Sequence, residues 1–149
     1  MATKHVQDDV QLNVLDGLVG YHLRRASTVF LHHFSQTVGE LGLRQVLFGI
    51  LSLIHDNPGI KQSAIGRVLG IQRANMVSLV GELTEGGLIA RAVSAEDRRA
   101  FALSLTDKGR ALVEAGLARI REHEDALLHN FSDRERASLI RLLTKIDAD

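Results

Sequence analysis

Six side chains between residues 72 and 78 have the chemistry that contacts the edges of DNA base pairs. Gln and Asn can each bond adenine through two hydrogen bonds, Arg can bond guanine in the same way, and Ala or Val can touch the thymine methyl group. The six are Gln72, Arg73, Ala74, Asn75, Val77 and Ser78. Because the apolar residues around them recur at helical spacing, they would lie on the outer face of a helix, whose N-terminus attracts phosphate. The buried face would carry Met76, Leu79, Val80 and Leu83.

A short helix before this segment would position it. The short helix begins at Lys61 and ends at Gly70, and a turn as short as Gly70-Ile71 sets two helices at a steep angle. Gly66 would let the short helix pack closely. Its expected buried residues are Ile65, Val68 and Leu69. Two helices in this order form a helix-turn-helix, in which the second helix enters the major groove of DNA.

The segments after Gly86-Gly87 predict a two-stranded β-hairpin, because their apolar residues alternate instead of recurring at helical spacing. The strands would be Leu88–Val93 and Ala100–Leu105. Asp97-Arg98-Arg99 would lie at the hairpin tip, where an exposed Arg can enter a minor groove and Asp97 can hold an Arg fork in place. The other interpretation of these three residues is a solvated turn with surface ion pairs.

Charge is distributed unevenly along a chain that is neutral overall. The 149 residues contain 18 Lys and Arg against 18 Asp and Glu. Zero net charge argues weakly against nucleic-acid binding, since DNA-binding proteins usually carry excess positive charge. Residues 57–81, however, contain no acid and three bases, which are Lys61, Arg67 and Arg73. Together with Gln62, these side chains would add to a weakly basic DNA-facing surface.

The absence of cysteine excludes several classes of site. Disulfides, thiolate metal sites, thiol catalysis and thiol redox sensing all require Cys, and the sequence has none. No apolar run approaches the ~18 residues that span a bilayer, and the N-terminus lacks the basic-then-apolar layout of a signal peptide. We therefore expect a cytoplasmic protein.

Apolar residues recur at helical spacing on both sides of the helix-turn-helix and the hairpin. Apolar residues from Leu12 to Phe34 trace one face of a long first helix, and those from Val46 to Ile54 form a second stripe. Thr106 would cap a long helix running to Leu128, and Ser132-Asp133-Arg134-Glu135 matches the capping box that opens a final helix. The expected fold is mainly α with a small β-hairpin wing. It divides into a winged helix-turn-helix lobe, 57–106, and a helical region, 1–56 and 107–149.

Short motifs in a fixed order connect the lobe to its flanking helices. They are Leu69-Gly70-Ile71, Leu79-Val80 to Leu83, Gly87-Leu88-Ile89, Asp97-Arg98-Arg99, Leu103-Ser104-Leu105-Thr106 and Gly109. Each is weak alone, but their joint order and spacing resemble the MarR family of bacterial transcription regulators. The resemblance implies a homodimeric DNA-binding repressor, dimerised through its helical region, that leaves a pseudo-palindromic operator when a small molecule binds.

Three features depart from the family's pattern. The helix beginning at Lys61 lacks the Thr or Ser that often caps it. Gly66 and Gly81 each weaken helix propensity by roughly 1 kcal/mol relative to Ala. Ser78 and Glu82 occupy positions that are often basic in the family, so we expect a shallower salt dependence of DNA binding than a basic relative would have.

Polar and aromatic side chains on the first helix are the candidate effector site. The resemblance implies a pocket where the first, second and fifth helices meet the DNA-binding lobe. The run from Tyr21 to Ser27 resembles the first helix of members that control aromatic-acid degradation, some of which sense a phenylpropenoyl-CoA thioester. The expected effector is thus a small aromatic acid or an aromatic acyl-CoA, with no cofactor. The candidate residues are Tyr21, His22, Arg24, Arg25, Ser27, Phe30 and His33.

Within this set, two adjacent Arg residues could meet a carboxylate or the CoA phosphates, and His22 could bond a phenol or carbonyl group. The alternative is that Arg24 and Arg25 are solvated helix positions or form ion pairs at the dimer interface.

The seven His residues raise a zinc-responsive regulator of the same fold as an alternative function. His32 and His33 point about 100° apart on a helix and do not easily share a metal, whereas Asp125 and His129 lie on one face. No tight ligand cluster is evident, so exposed His on amphipathic helices is the simpler interpretation. A helical enzyme is disfavoured, because the sequence has no Cys nucleophile, GxSxG elbow, phosphate loop or HExxH motif. A winged helix used only for protein interaction is the third alternative.

Overall fold

The N-terminal apolar stripe forms two helices where the sequence predicts one. In the computed structural model, α1 (Asn13–Asp16) and α2 (Val19–Glu40) are separated at Gly17 and Leu18. The backbone N–H of Leu18 bonds the carbonyl of Leu15, three residues back, at 3.0 Å, so the helix tightens and stops. Gly17 contributes because Gly stabilises a helix less than any residue except Pro. The prediction of one continuous helix is therefore wrong.

The structure describes residues 12–94 and 101–146, and its contacts divide the chain into two units, 1–33 and 34–149. In the first unit, α1 and the first part of α2 bury no residue among 12–33. The large apolar side chains exposed there are Val14, Leu15, Leu18, Val19, Val29 and Leu31. Taken by itself, the described part of this unit therefore has no buried apolar core.

The second unit contains the end of α2, five further helices and a small sheet among the described residues. The helices are α3 (Gln45–Asp56), α4 (Gln62–Leu69), α5 (Arg73–Glu85), α6 (Asp107–Leu127) and α7 (Asp133–Leu143). The strands are β1 (Ile60–Lys61), β2 (Ile89–Val93) and β3 (Phe101–Leu105). Helix α3 packs against α6 and β3, and α4 packs against α5.

One apolar core joins these elements. Its fully buried members include Ile50, Leu51, Ile54, Ile65, Met76, Val80, Leu83, Leu103 and Val113. Helices α3 and α6, although outside residues 57–106, thus contribute to the core that supports the winged helix-turn-helix. The assignment of residues 1–56 and 107–149 to dimerisation stays a prediction.

The buried side of α4 differs from the prediction. Ile65 is completely buried, but Val68 is 67% exposed and Leu69 37% exposed. The buried residues of the helix are Ile65 and Gly66. At 100° per residue, Val68 lies about 110° around the helix from the midpoint of that pair, and Leu69 is the last residue of the helix. The expectation that Val68 and Leu69 are buried is therefore wrong.

The wing belongs to a three-stranded antiparallel sheet, with strand order β1-β3-β2, and is more than the predicted two-stranded hairpin. Ile60 pairs with Leu103, and the N–H of Gly59 donates to the Leu103 carbonyl at 2.8 Å. Gly59 has a φ of +86°, a conformation that favours glycine, so the turn after Pro58 returns the chain onto β3. The added strand fixes the base of the wing against the start of α4.

Both predicted helix caps are confirmed. The hydroxyl of Thr106 accepts a hydrogen bond from the N–H of Gly109 at 3.0 Å, at the start of α6. Ser132 and Glu135 form the reciprocal capping box of α7, with the Ser132 N–H donating to Glu135 Oε2 at 2.8 Å. Hydrogen bonds from the backbone and hydroxyl of Ser132 lower the pKa of Glu135 below its ordinary value of 4.5.

Within the described residues, no single helix is long and apolar enough to cross a membrane. Helices α2 and α3 reach the length and composition of a span only when they are taken together, across a bend of 80°.

Candidate nucleic-acid interface

The turn between α4 and α5 sets the second helix in place. The N–H of Ile71 donates to the carbonyl of Gly66 at 2.8 Å, and Gly70 between them has a φ of +64°. A Cβ at Gly66 would lie 3.0 Å from the Ile71 carbonyl oxygen and 3.1 Å from Met76 Cγ. The two helices therefore approach closely at Gly66, as the sequence suggested. Gln72 then opens α5 with extended backbone.

Helix α5 buries one side and exposes the side with the base-contacting residue types. Met76, Val80 and Leu83 are at most 1% exposed. All six candidate reading residues are exposed: Gln72, Arg73, Ala74, Asn75, Val77 and Ser78. Val77 is 56% exposed, which leaves its side chain available for contact with a thymine methyl group.

A groove of about 630 Å³ runs beside α5, between the helix-turn-helix and the sheet. It is lined by five of the predicted DNA-facing side chains, which are Lys61, Gln62, Arg67, Arg73 and Val77. Within residues 12–94 and 101–146, no Asp or Glu lines it. The groove therefore combines a cationic rim with an exposed helix, which is the electrostatic arrangement that attracts a phosphate backbone.

The groove is also lined by residues that the sequence did not mark as DNA-facing, among them Arg91 and Phe101. Arg91 on β2 donates from Nε to Thr84 Oγ1 at 3.2 Å, and its Cζ lies 5.9 Å from the centroid of the Phe101 ring. The strand alternation contained the signal, because Arg91 shares a face with Ile89, which is 3% exposed. A charged residue on the face of a strand that points toward the core marks the place where that face opens to solvent.

Glu82, one of two acids on α5 together with Glu85, forms an ion pair with Arg44 at the start of α3. Both side chains are at least half exposed, at 50% and 61%, so the pair contributes little stability. The ion pair matters for electrostatics, because the positive charge of Arg44 offsets the negative charge of Glu82, the residue that departs from the family's pattern.

Asp97, Arg98 and Arg99 lie outside the described residues. The last described pair of the hairpin, Val93 with Phe101, leads directly to the segment that contains them. Their role at the wing tip stays a prediction.

The seven candidate effector residues lie on α2, within the first unit. Tyr21, His22 and Arg25 lie together: Arg25 donates to the Tyr21 hydroxyl at 3.4 Å, and the Tyr21 and His22 rings are 5.4 Å apart. His22 Nε2 also donates to the Asp16 carbonyl at 2.9 Å.

The other four candidates are spread around α2: they are Arg24, Ser27, Phe30 and His33. Arg24 and Arg25, being neighbours, point about 100° apart and do not converge on one ligand group. Ser27 is exposed, while Phe30 and His33 are half-buried. The groove beside α5 is lined by none of the seven.

No group of three or more His, Asp or Glu residues with metal-binding geometry is present in residues 12–94 and 101–146. Asp125 instead pairs with Arg136, and His129 Nδ1 donates to the Ala126 carbonyl at 2.9 Å. No observation among the described residues therefore favours the zinc-responsive alternative.

Comparison with known proteins identifies the family. The model of the MarR family matches residues 41–100. A protein of Thauera aromatica, named as a candidate transcriptional regulatory protein for the hcr operon, is 36% identical over 132 residues, which cover 87% of this chain and 79% of that protein.

Solved structures give the same result. The transcriptional repressor CouR bound to a 23-mer DNA duplex is 34% identical, with a TM-score of 0.82 over 94% of this chain and 99% of the other. CouR bound to p-coumaroyl-CoA is 32% identical, with a TM-score of 0.75 over 95% and 99%. These similarities confirm the resemblance and the winged helix-turn-helix fold class inferred from the sequence. The chain belongs to the MarR family: it is a transcriptional regulator of MarR type and not an enzyme.

Proposed function

We propose that the chain is a homodimeric repressor that binds a pseudo-palindromic operator and is released by a small aromatic acid or its CoA thioester. The observation that carries the proposal is the groove beside the exposed face of α5, whose described lining is cationic. A regulator of this kind acts on the chromosome, so we place it in the cytoplasm.

The DNA contacts divide by chemistry into two groups. Lys61 and Arg67 border the groove and would contact phosphates, which supply affinity without sequence information. The exposed face of α5 would supply the discrimination, with Arg73 bonding a guanine and Asn75 an adenine. Asp97, Arg98 and Arg99 would add minor-groove contacts from the wing tip. The predicted Gln62, Gln72, Ala74, Val77 and Ser78 complete the set.

Exposed apolar residues support the homodimer. In the first unit they lie along α1 and α2, and in the second one group of them lies on α7 and just after it. The latter are Ile140, Leu142, Leu143 and Ile146, with exposures of 63%, 51%, 40% and 64%. Exposed apolar area of this extent is expected to be covered by a partner chain, and two identical lobes would match an operator with two-fold symmetry. The ion pair between Arg136 and Asp125 holds the start of α7 to α6, so the apolar face of α7 is presented on a fixed support.

The effector proposal rests on the relative that binds p-coumaroyl-CoA and on the cluster of Tyr21, His22 and Arg25. A phenol hydroxyl beside a guanidinium group can bond a carbonyl or an anionic oxygen. Arg24, Ser27, Phe30 and His33 are the other candidates for this site.

A gel-shift experiment with the DNA upstream of the protein's own gene tests the proposal. We expect sequence-selective retardation at moderate salt, and release on adding p-coumaroyl-CoA or the corresponding free acid, with CoA alone as the control. Native mass spectrometry should show a dimer. No selective retardation at any moderate salt would contradict the function, and release by zinc alone would contradict the effector class.

A further inference from the structure

We propose that Arg91 is a prepositioned ligand for one phosphate of the DNA strand that crosses the groove between α5 and the wing. The inference rests on the proposed DNA-binding function and adds a residue to it that neither the motifs nor the comparisons assign.

The geometry of B-DNA places a phosphate strand over this groove. Helix α5 would enter a major groove and the wing the neighbouring minor groove, and the strand that separates two grooves of a duplex must pass between the elements that fill them. Arg91 lies in the wall between these two elements, on the side formed by β2.

The sheet register gives Arg91 its direction. Arg91 pairs with Leu103, which is completely buried, and shares its face with Ile89 on one side and with Val93 and Phe101 on the other. Val93 and Phe101 are 62% and 46% exposed, so this face of the sheet changes from core to solvent at Arg91. The side chain therefore extends from the edge of the core into the groove, and the strand backbone fixes the direction in which it leaves the sheet.

Two neighbours hold the guanidinium group. Thr84 donates its own hydroxyl proton to the Val80 carbonyl at 2.7 Å, which leaves its oxygen to accept from Arg91 Nε at 3.2 Å. The Phe101 ring lies 5.9 Å from Arg91 Cζ. These contacts use Nε and leave the two terminal nitrogens, the pair that can bind two phosphate oxygens at once.

Among the residues that the structure describes, the groove supplies no acid that competes for Arg91. None of its lining residues is Asp or Glu, and within residues 12–94 and 101–146 no carboxylate forms an ion pair with Arg91. An arginine already held in place loses less conformational entropy on binding, so the contact is stronger than one made by a mobile surface side chain.

The salt dependence of DNA binding tests the assignment. The probes are a 40-base-pair duplex enriched by the wild-type protein from a random pool, and a shuffled duplex of the same composition. Arg91→Gln is compared with Arg121→Gln, which removes the same charge from an exposed position on α6. Each lost phosphate contact lowers the slope of log affinity against log salt by about 0.9, which is about eightfold in affinity at 0.1 M salt. We expect that change for both duplexes in Arg91→Gln and none in Arg121→Gln.

A second pair of variants tests the positioning and keeps every charge. Thr84→Val removes the oxygen that accepts from Arg91, whereas Thr84→Ser keeps it. We expect Thr84→Val to bind both duplexes more weakly by the same factor, with an unchanged slope of log affinity against log salt. Thr84→Ser should bind as the wild type does.

Three results would overturn the assignment. The first is a slope of log affinity against log salt in Arg91→Gln that equals the wild-type slope. The second is an altered preference of Arg91→Gln at one base pair in place of a uniform loss of affinity. The third is equal affinities of Thr84→Val and the wild type. Failure of the proposed function itself is distinguishable, since the wild-type protein would then enrich no duplex from the pool.

Discussion

Replacing Gly109 by Ala tests how α6 supports the wing. Gly109 lies in the first turn of α6, and an added Cβ would lie 2.0 Å from the carbonyl oxygen of Leu88. Carbon and oxygen atoms that are not bonded stay about 3.3 Å apart, so the start of α6 would have to move by about 1 Å. The movement is resisted by backbone atoms, which cannot rotate away as a flexible side chain can.

The cost follows from the hydrogen bonds that such a movement would break. Thr106 donates from its N–H to the Leu88 carbonyl at 3.1 Å and from its hydroxyl to the Gly87 carbonyl at 2.7 Å. Lys108 Nζ donates to the Gly86 carbonyl at 2.9 Å. At roughly 1 kcal/mol for each bond, offset by roughly 1 kcal/mol of helix propensity gained from Ala, the free energy of unfolding should fall by about 2 kcal/mol. For a chain of this length that corresponds to a Tm lower by about 4–8 °C.

Thermal and denaturant unfolding measure the change, with Gly81→Ala as the control. A Cβ at Gly81 would meet nothing within 4 Å, so that variant should be as stable as the wild type or more stable by up to about 1 kcal/mol. Since Gly86, Gly87 and Leu88 join α5 to β2, DNA affinity of the folded Gly109→Ala protein should fall as well. If Gly109→Ala were as stable as Gly81→Ala, the close packing of α6 on this turn would be refuted.

Three further changes test other parts of the account. Ile140→Asp places a charge on the exposed apolar face of α7; native mass spectrometry should show monomers, and a persisting dimer would remove α7 from the interface. Arg25→Gln should reduce release of DNA by p-coumaroyl-CoA while leaving affinity without effector unchanged, as measured by titrated gel shift; an unchanged response would exclude Arg25 from the site. Glu135 has a lowered pKa in the folded chain, so its stabilisation of α7 is fully present above pH 4.5 and is lost as the pH falls through the lower folded value. Unfolding measured against pH should show this loss in the wild type and not in Glu135→Ala.

The residues that were predicted well are those governed by local rules. The helical period alone predicts that Met76, Val80 and Leu83 are buried and that the polar side chains between them are exposed. The caps at Thr106 and Ser132 depend only on hydrogen bonds to residues three positions away. For such features, the sequence within one or two turns contains the physical cause.

Apart from the local break at Gly17 and Leu18, the errors occur where distant parts of the chain decide the structure. Strand β1 contains two residues, too few for a period, and exists because β3 lies beside it. Val68 has the spacing of a buried residue, but α4 is packed through Ile65 and Gly66. Arg91 acquires its place in the groove from Thr84 and Phe101, which lie on two other elements.

The central claim is that the exposed face of α5 reads the sequence of a DNA duplex. The most direct test is enrichment of a random duplex pool by the wild-type protein and by Arg73→Ala, followed by sequencing. The wild type should enrich two half-sites in two-fold symmetry, and Arg73→Ala should lose preference at one position of each half-site, at a cost of about 1–3 kcal/mol. Enrichment of no sequence by the wild type, or identical preferences in the two proteins, would contradict it.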